Sequence, residues 1–101
     1  QILLCPAAFT RPTGEAHWEV LLRARAIETQ CYVVASAQAG SHSEARASYG
    51  HSLIIDPWGK VLCDLGAEAG ASLGVADVDM DYLQSVRDKI PVVDHRRAEL
   101  F

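Results

Sequence analysis

Three cysteines, four histidines and a cluster of serines are the side chains here most able to do covalent or metal chemistry. Cys31-Tyr32 leads straight into Val33-Val34-Ala35, a strand interior. A buried thiol there, with no base nearby in sequence, is inert and packs as a small apolar group. Cys5 and Cys63 sit in similar apolar runs and read the same way, Cys63 being partly exposed on a hairpin. The odd count argues against a disulfide framework and for reduced thiols in an intracellular protein. His17, His42, His51 and His95 are scattered, with no i,i+4 pair and no Cys-x-x-Cys, so no metal site is expected. His17, at a helix start, is expected to bond a loop carbonyl or line a site rim. Ser41, Ser43, Ser48 and Ser52 lie in or beside a polar stretch without a Gly-x-Ser-x-Gly elbow. The glycines are single turn residues and form no phosphate loop, and Trp58 reads as a packing or turn residue.

The elements that must position these groups alternate between strand and helix. Ile2–Cys5 is a short apolar run that suits a central strand buried on both faces, ended by Pro6. Thr10–Gly14 is a loop, with Thr13 as the N-cap of a helix from about Glu15 to Gln30. That helix is apolar on two sides: Val20, Ala24, Ile27 and Cys31 on one, Trp18, Leu22 and Ala26 on the other. Two stripes suggest a helix held between its own sheet and a second body. The second body is expected on the Leu22 and Ala26 side, with Arg23, Arg25 and Glu28 in ion pairs at a subunit or sheet boundary. Cys31–Ala37 is a second buried strand. Gln38–Gly50 has no strand or helix period and reads as a loop. His51–Asp56 and Lys60–Asp64 form a hairpin closed by Asp56-Pro57-Trp58-Gly59, with Asp, Pro and Gly where a turn requires them. Ala71–Asp77 reads as a further strand. Asp79 caps a second helix whose stripe is Leu83, Val86 and Ile90, with Pro91 ending it. The result is a mixed α/β layer.

With 101 residues, half of them hydrophobic, the chain holds at most one domain with a real core. A net charge of −4, with dispersed basic residues, gives no reason to expect nucleic acid. No apolar run approaches the roughly 18 residues of a membrane span.

Several motifs occur in a family's order: Ile2-Leu3-Leu4-Cys5-Pro6-Ala7-Ala8-Phe9, then Ala16-His17-Trp18-Glu19 with Arg23-Ala24-Arg25-Ala26-Ile27-Glu28. Arg46-Ala47-Ser48-Tyr49-Gly50-His51-Ser52, Asp56-Pro57-Trp58-Gly59 and His95-Arg96-Arg97 follow. The chain thereby resembles the carbon–nitrogen hydrolase (nitrilase) superfamily, in its Nit amidase branch. The resemblance implies the C-terminal part of an α-β-β-α sandwich with a mixed sheet and two main helices. It implies hydrolysis of a linear amide, deaminated glutathione being the expected substrate. The reaction runs through a thioester on a cysteine that would lie upstream of Gln1, as would the family's glutamate base and lysine. No catalytic residue therefore falls on a position of this chain, and no cofactor is implied. By the same resemblance Phe9 would wall the substrate pocket and Thr13 would hold a substrate carboxylate. The family's dimer contact uses the 15–30 helix, so a homo-oligomer is expected, in the cytoplasm or mitochondrion, with neither nucleic acid nor membrane as partner. An ω-amidase of the same superfamily, a non-catalytic self-association module and a thiol enzyme built on Cys31 are the alternatives. Ammonia release, self-association alone, or reaction at Cys31 separates them.

Overall fold

The computed structural model describes residues 1–100. A strand, β1 (Ile2–Leu4), leads through a loop into a continuous helical stretch. That stretch comprises α1 (Arg11–Thr13), a π-helical segment (Gly14–Trp18) and α2 (Glu19–Thr29). Then come β2 (Tyr32–Ala35), β3 (Ala39–Ser43), β4 (Arg46–Tyr49), β5 (Leu53–Ile55) and β6 (Val61–Asp64). The chain continues with α3 (Met80–Lys89) and a 3-10 turn (Ala98–Leu100). The main sheet runs β1-β2-β5-β6. The β1–β2 pair is parallel; β2–β5 and β5–β6 are antiparallel. It is the mixed α/β architecture expected, with β1, the helix and β2 forming a β-α-β crossover. No helix among the described residues is long and apolar enough to cross a membrane.

One face of the sheet carries the core. Val33 and Ala35 on β2 meet Leu53 and Ile55 on β5, and Trp18, Leu22 and Ala26 press down on them from the helix. This corrects the expected orientation of the helix. Leu22 and Ala26 face the chain's own sheet, while Val20 (61 % exposed) and Ile27 (52 %) point away from it. The side that carries Trp18, the largest apolar side chain of the helix, fills the space over the sheet, which is where apolar volume stabilises most.

The helix also starts earlier than the sequence suggests. Thr10, with extended backbone, is the N-cap, and Pro12 stands in the first turn, where its missing N–H costs nothing. Thr13 is thus the third helical residue and not the cap. At the other end Gln30 takes a left-handed conformation, φ 50° and ψ 48°. Glycine usually fills that position. Gln30 is held there from outside the helix: its side-chain amide donates to the Ile90 carbonyl at 2.7 Å, and its own carbonyl accepts from Arg87 Nε at 3.3 Å. These bonds dock α3, whose cap Asp79 accepts from the Tyr82 N–H at 2.9 Å as expected. The buried Tyr32 hydroxyl fixes the same cap, accepting from the Asp79 N–H at 3.0 Å. Leu83 and Val86 are buried, whereas Ile90 is not. Of the helix charges, Arg23 reaches a sheet boundary, donating to the Gly59 carbonyl at 2.8 Å. Arg25 and Glu28 pair with each other on an exposed face of the helix.

Three strand expectations change. β1 has β2 as its one strand neighbour among the described residues, and Leu4 is 75 % exposed because it points to the sheet face away from the helix, whereas Leu3 packs on the core. The stretch read as a loop, Gln38–Gly50, contains the β3–β4 hairpin, bulged between Ser41 and Ser43. Small polar residues hide it from a hydrophobic-period reading; backbone pairing and the Thr10–Ser48 bridge hold it. Ala71–Asp77 is extended without a ladder, and Leu73 and Val75 are exposed. Leu73 and Val75 alternate there but pair with neither edge strand of the sheet, β1 nor β6, and meet solvent. The Asp56–Gly59 turn forms as expected: Asp56 Oδ1 accepts from the Trp58 and Lys60 N–H groups at 2.9 Å, and Gly59 sits at φ 86°.

Candidate functional site

The carboxyl end of β1 is where this fold gathers polar and aromatic groups. Past Leu4 the chain keeps parallel pairing with the β2 side: Cys5 N–H donates to Val34 O at 3.0 Å and Ala7 N–H to Ser36 O at 2.9 Å. Pro6 contributes no donor between them. The loop then lifts off the sheet through Ala8 and Phe9 and enters the helix at Thr10. Open α/β sheets bind ligands at this edge, beyond the carboxyl ends of parallel strands.

Phe9 is half-buried. Its ring lies on the Trp18 indole, with centroids 5.0 Å apart at 53°, and its carbonyl accepts from the Tyr49 N–H at 2.9 Å. Thr13 is exposed. Its Oγ1 lies 2.9 Å from Thr10 Oγ1 and 3.2 Å from the Thr10 carbonyl, to which it donates. Thr10 makes no side-chain cap to the backbone. The first-turn N–H groups, which helical geometry leaves unpaired, therefore face outward without a side-chain acceptor. With the positive end of the helix dipole they form an environment that favours an anion.

Beneath this loop lies a network that sequence reasoning missed. Trp18 Nε1 donates to the His51 carbonyl at 2.7 Å. His51 is left-handed, φ 56°, and its Nδ1 lies 3.0 Å from both Asp64 carboxylate oxygens. Its ring stacks on Tyr49, 4.5 Å between centroids. Tyr49 in turn occupies the space a side chain at Gly14 would need: a Cβ there would fall 2.3 Å from Tyr49 Cβ and Cγ. The His51–Asp64 pair was legible in principle, since the hairpin turn sets Leu53 opposite Asp64.

The other sequence candidates stay apart. His17 is exposed and makes no hydrogen bond among the described residues, against the expected loop carbonyl. His42 Nε2 lies 2.7 Å from Ser48 Oγ in the β3–β4 hairpin. Cys31 is buried, with Arg87 Nη2 at 3.6 Å. Cys5 and Cys63 are partly buried, and none of the three thiols hydrogen-bonds a histidine or a carboxylate among the described residues. Two hollows flank the sheet. One, about 580 Å³, runs from Arg11 and Glu15 to Tyr49 and Glu68, beside the loop but lined by neither Phe9 nor Thr13. The other, about 530 Å³, lies on the face away from α2, over Val34, Ile54 and Cys63.

The sequence profile of the carbon–nitrogen hydrolase family matches residues 1–88. The chain belongs to the carbon–nitrogen hydrolase family. It is 57 % identical over 101 residues to a deaminated glutathione amidase of Bos taurus, covering all of this chain and 30 % of the relative. The crystal structure of the C. elegans NitFhit protein superposes with a TM-score of 0.88 at 50 % identity, over 100 % of this chain and 24 % of that one. The Saccharomyces cerevisiae Nit3 structure, from branch 10 of the nitrilase superfamily, gives 0.85 at 33 % identity, over 95 % and 35 %. The chain thus spans about a third or less of the hydrolases it matches, and its fold is that of the corresponding portion of the nitrilase superfamily.

Proposed function

We propose that this chain is the part of a carbon–nitrogen hydrolase that supplies one wall of the substrate site and a subunit contact, in an enzyme that cleaves the amide of deaminated glutathione. The loop between β1 and the helix carries the reading: it sets an aromatic ring and unpaired helix-start N–H groups at the ligand-binding edge of the sheet. The likeness to amidases named for deaminated glutathione supports the substrate. The reacting groups belong to the rest of the enzyme. There a thiolate attacks the amide carbon, ammonia leaves, and water hydrolyses the thioester. Phe9 walls the pocket and shields the acyl group, and Thr13 with its N–H holds a substrate carboxylate.

Thr13→Ala tests that assignment in the full-length enzyme. Thr13 is not the cap, but its hydroxyl donates to the carbonyl of the cap residue Thr10 at 3.2 Å, so the melting temperature is read beside KM. A hydrogen bond to a charged group contributes about 1.5–3 kcal/mol, so KM for deaminated glutathione is expected to rise about tenfold or more. An unchanged KM contradicts the carboxylate role. Release of ammonia from the substrate of ω-amidase in preference to deaminated glutathione would instead move the enzyme to that sister branch.

The outward face of α2 is the subunit contact in this reading. Val20, Ala24 and Ile27 line a shallow hollow of about 420 Å³ flanked by the Glu19–Arg23 ion pair. The occupant is a second copy of the chain, as the family's shared dimer contact implies. Val20→Asp places a charge at the centre of that contact while adding nothing to the sheet-facing core. It is expected to shift the enzyme to a smaller species on light scattering with far-UV circular dichroism unchanged; an unaltered mass contradicts the contact.

A further inference from the structure

We propose that Trp18 is a positioning residue for the substrate pocket, acting through Phe9. The inference rests on the reading of Phe9 as a pocket wall and adds what holds that wall in place. Trp18 is 2 % exposed and cannot touch substrate itself. Its indole has two neighbours: the Phe9 ring, tilted against it with centroids 5.0 Å apart, and the His51 carbonyl on its N–H, at 2.7 Å. Burial of an indole N–H without an acceptor is costly, so this bond fixes the rotation of the ring. The acceptor is itself immobilised. His51 is in the left-handed region, its N–H donates to Gly66 O at 2.7 Å, and its imidazole is held between Asp64 and Tyr49. Tyr49 closes the circuit by donating its N–H to the Phe9 carbonyl. The ring and the backbone of Phe9 are therefore both tied to one segment, Tyr49–His51, at and just past the end of β4. Trp18 ends the π-helical segment, where the wider turn alters which way side chains leave the helix, a feature frequent at functional sites. An aromatic wall already fixed in one orientation need not be ordered when substrate binds, so the loss of its support is read in KM.

The test is a double-mutant cycle on the full-length enzyme, with kcat and KM for deaminated glutathione measured separately. Trp18→Phe keeps an aromatic ring and removes the donor to His51. The expected result is a KM raised several-fold with kcat little changed, and no further rise when Trp18→Phe is added to Phe9→Ala, because Trp18 acts through the ring already lost. Two results overturn the inference alone: Phe9→Ala raises KM but Trp18→Phe does not, or Trp18→Phe raises KM by the same factor in both backgrounds. If Phe9→Ala leaves KM unchanged, the pocket-wall reading falls and the inference with it. Should Trp18→Phe be insoluble, replacing the indole with benzothiophene keeps the ring shape, drops the N–H and gives the same readouts.

Discussion

Leu22→Asp is expected to abolish folding. Leu22 lies between Trp18 and Ala26 on the helix face that covers Val33, Ala35, Leu53 and Ile55. The substitution removes a buried isobutyl group, worth about 2–5 kcal/mol in comparable truncations. It also places a carboxylate among the apolar side chains of the core, adding several kcal/mol. The sum is comparable with the whole stability of a typical domain, about 5–15 kcal/mol. Soluble expression and the circular-dichroism melt of the full-length enzyme read the effect. Val20→Asp, two residues away on the same helix, is the control, because it lies on the exposed face. Equal stability of the two variants would mean that the helix does not pack on the sheet through Leu22.

Gly14→Ala is expected to be nearly as damaging, for a different reason. Gly14 has ordinary helical backbone, φ −63° and ψ −48°, so its requirement is one of space alone. The added methyl would overlap Tyr49 Cβ and Cγ at 2.3 Å, and overpacking at such a contact costs about 1–3 kcal/mol or more. Tyr49 cannot withdraw without giving up its stacking on His51 and its bond to the Phe9 carbonyl. Denaturant unfolding should show the loss, and Gly14→Ala in a Tyr49→Gly background should cost markedly less than in the wild type. An additive cost in that background would mean that Tyr49 is not the obstacle.

These two sites show how unevenly the sequence reveals the structure. The helix was legible because Trp18, Leu22 and Ala26, and likewise Val20, Ala24 and Ile27, recur at helical spacing, and the Asp56–Gly59 hairpin because its turn residues admit few alternatives. Which of the two apolar stripes met the sheet was not legible, since periodicity gives the faces but not what covers them. The helix start was misplaced because Thr10 and Thr13 are both acceptable caps; Pro12 between them, favoured in a first turn, was the available signal for Thr10. The β3–β4 hairpin, built from Ala, Gly, Ser and His, carries almost no hydrophobic signal. Ala71–Asp77 carries one without a partner strand. Phe9 was placed by motif resemblance, whereas its support by Trp18, His51 and Tyr49 depends on contacts 33 and 40 residues apart in sequence, a separation no local pattern encodes. The π-helical segment at Gly14–Trp18 has no sequence signature in this reading either.

The account's central claim is that this chain shapes the site and supplies none of its reacting thiols. The direct measurement is steady-state ammonia release from deaminated glutathione by the full-length enzyme, with Cys5, Cys31 and Cys63 all replaced by serine or alanine, small residues that fit their partly or fully buried sites. The account predicts that kcat stays within a few-fold of the unsubstituted enzyme. Loss of turnover in a variant that still folds and assembles, traced by single replacement to Cys31→Ala, would place the nucleophile in this chain and contradict it.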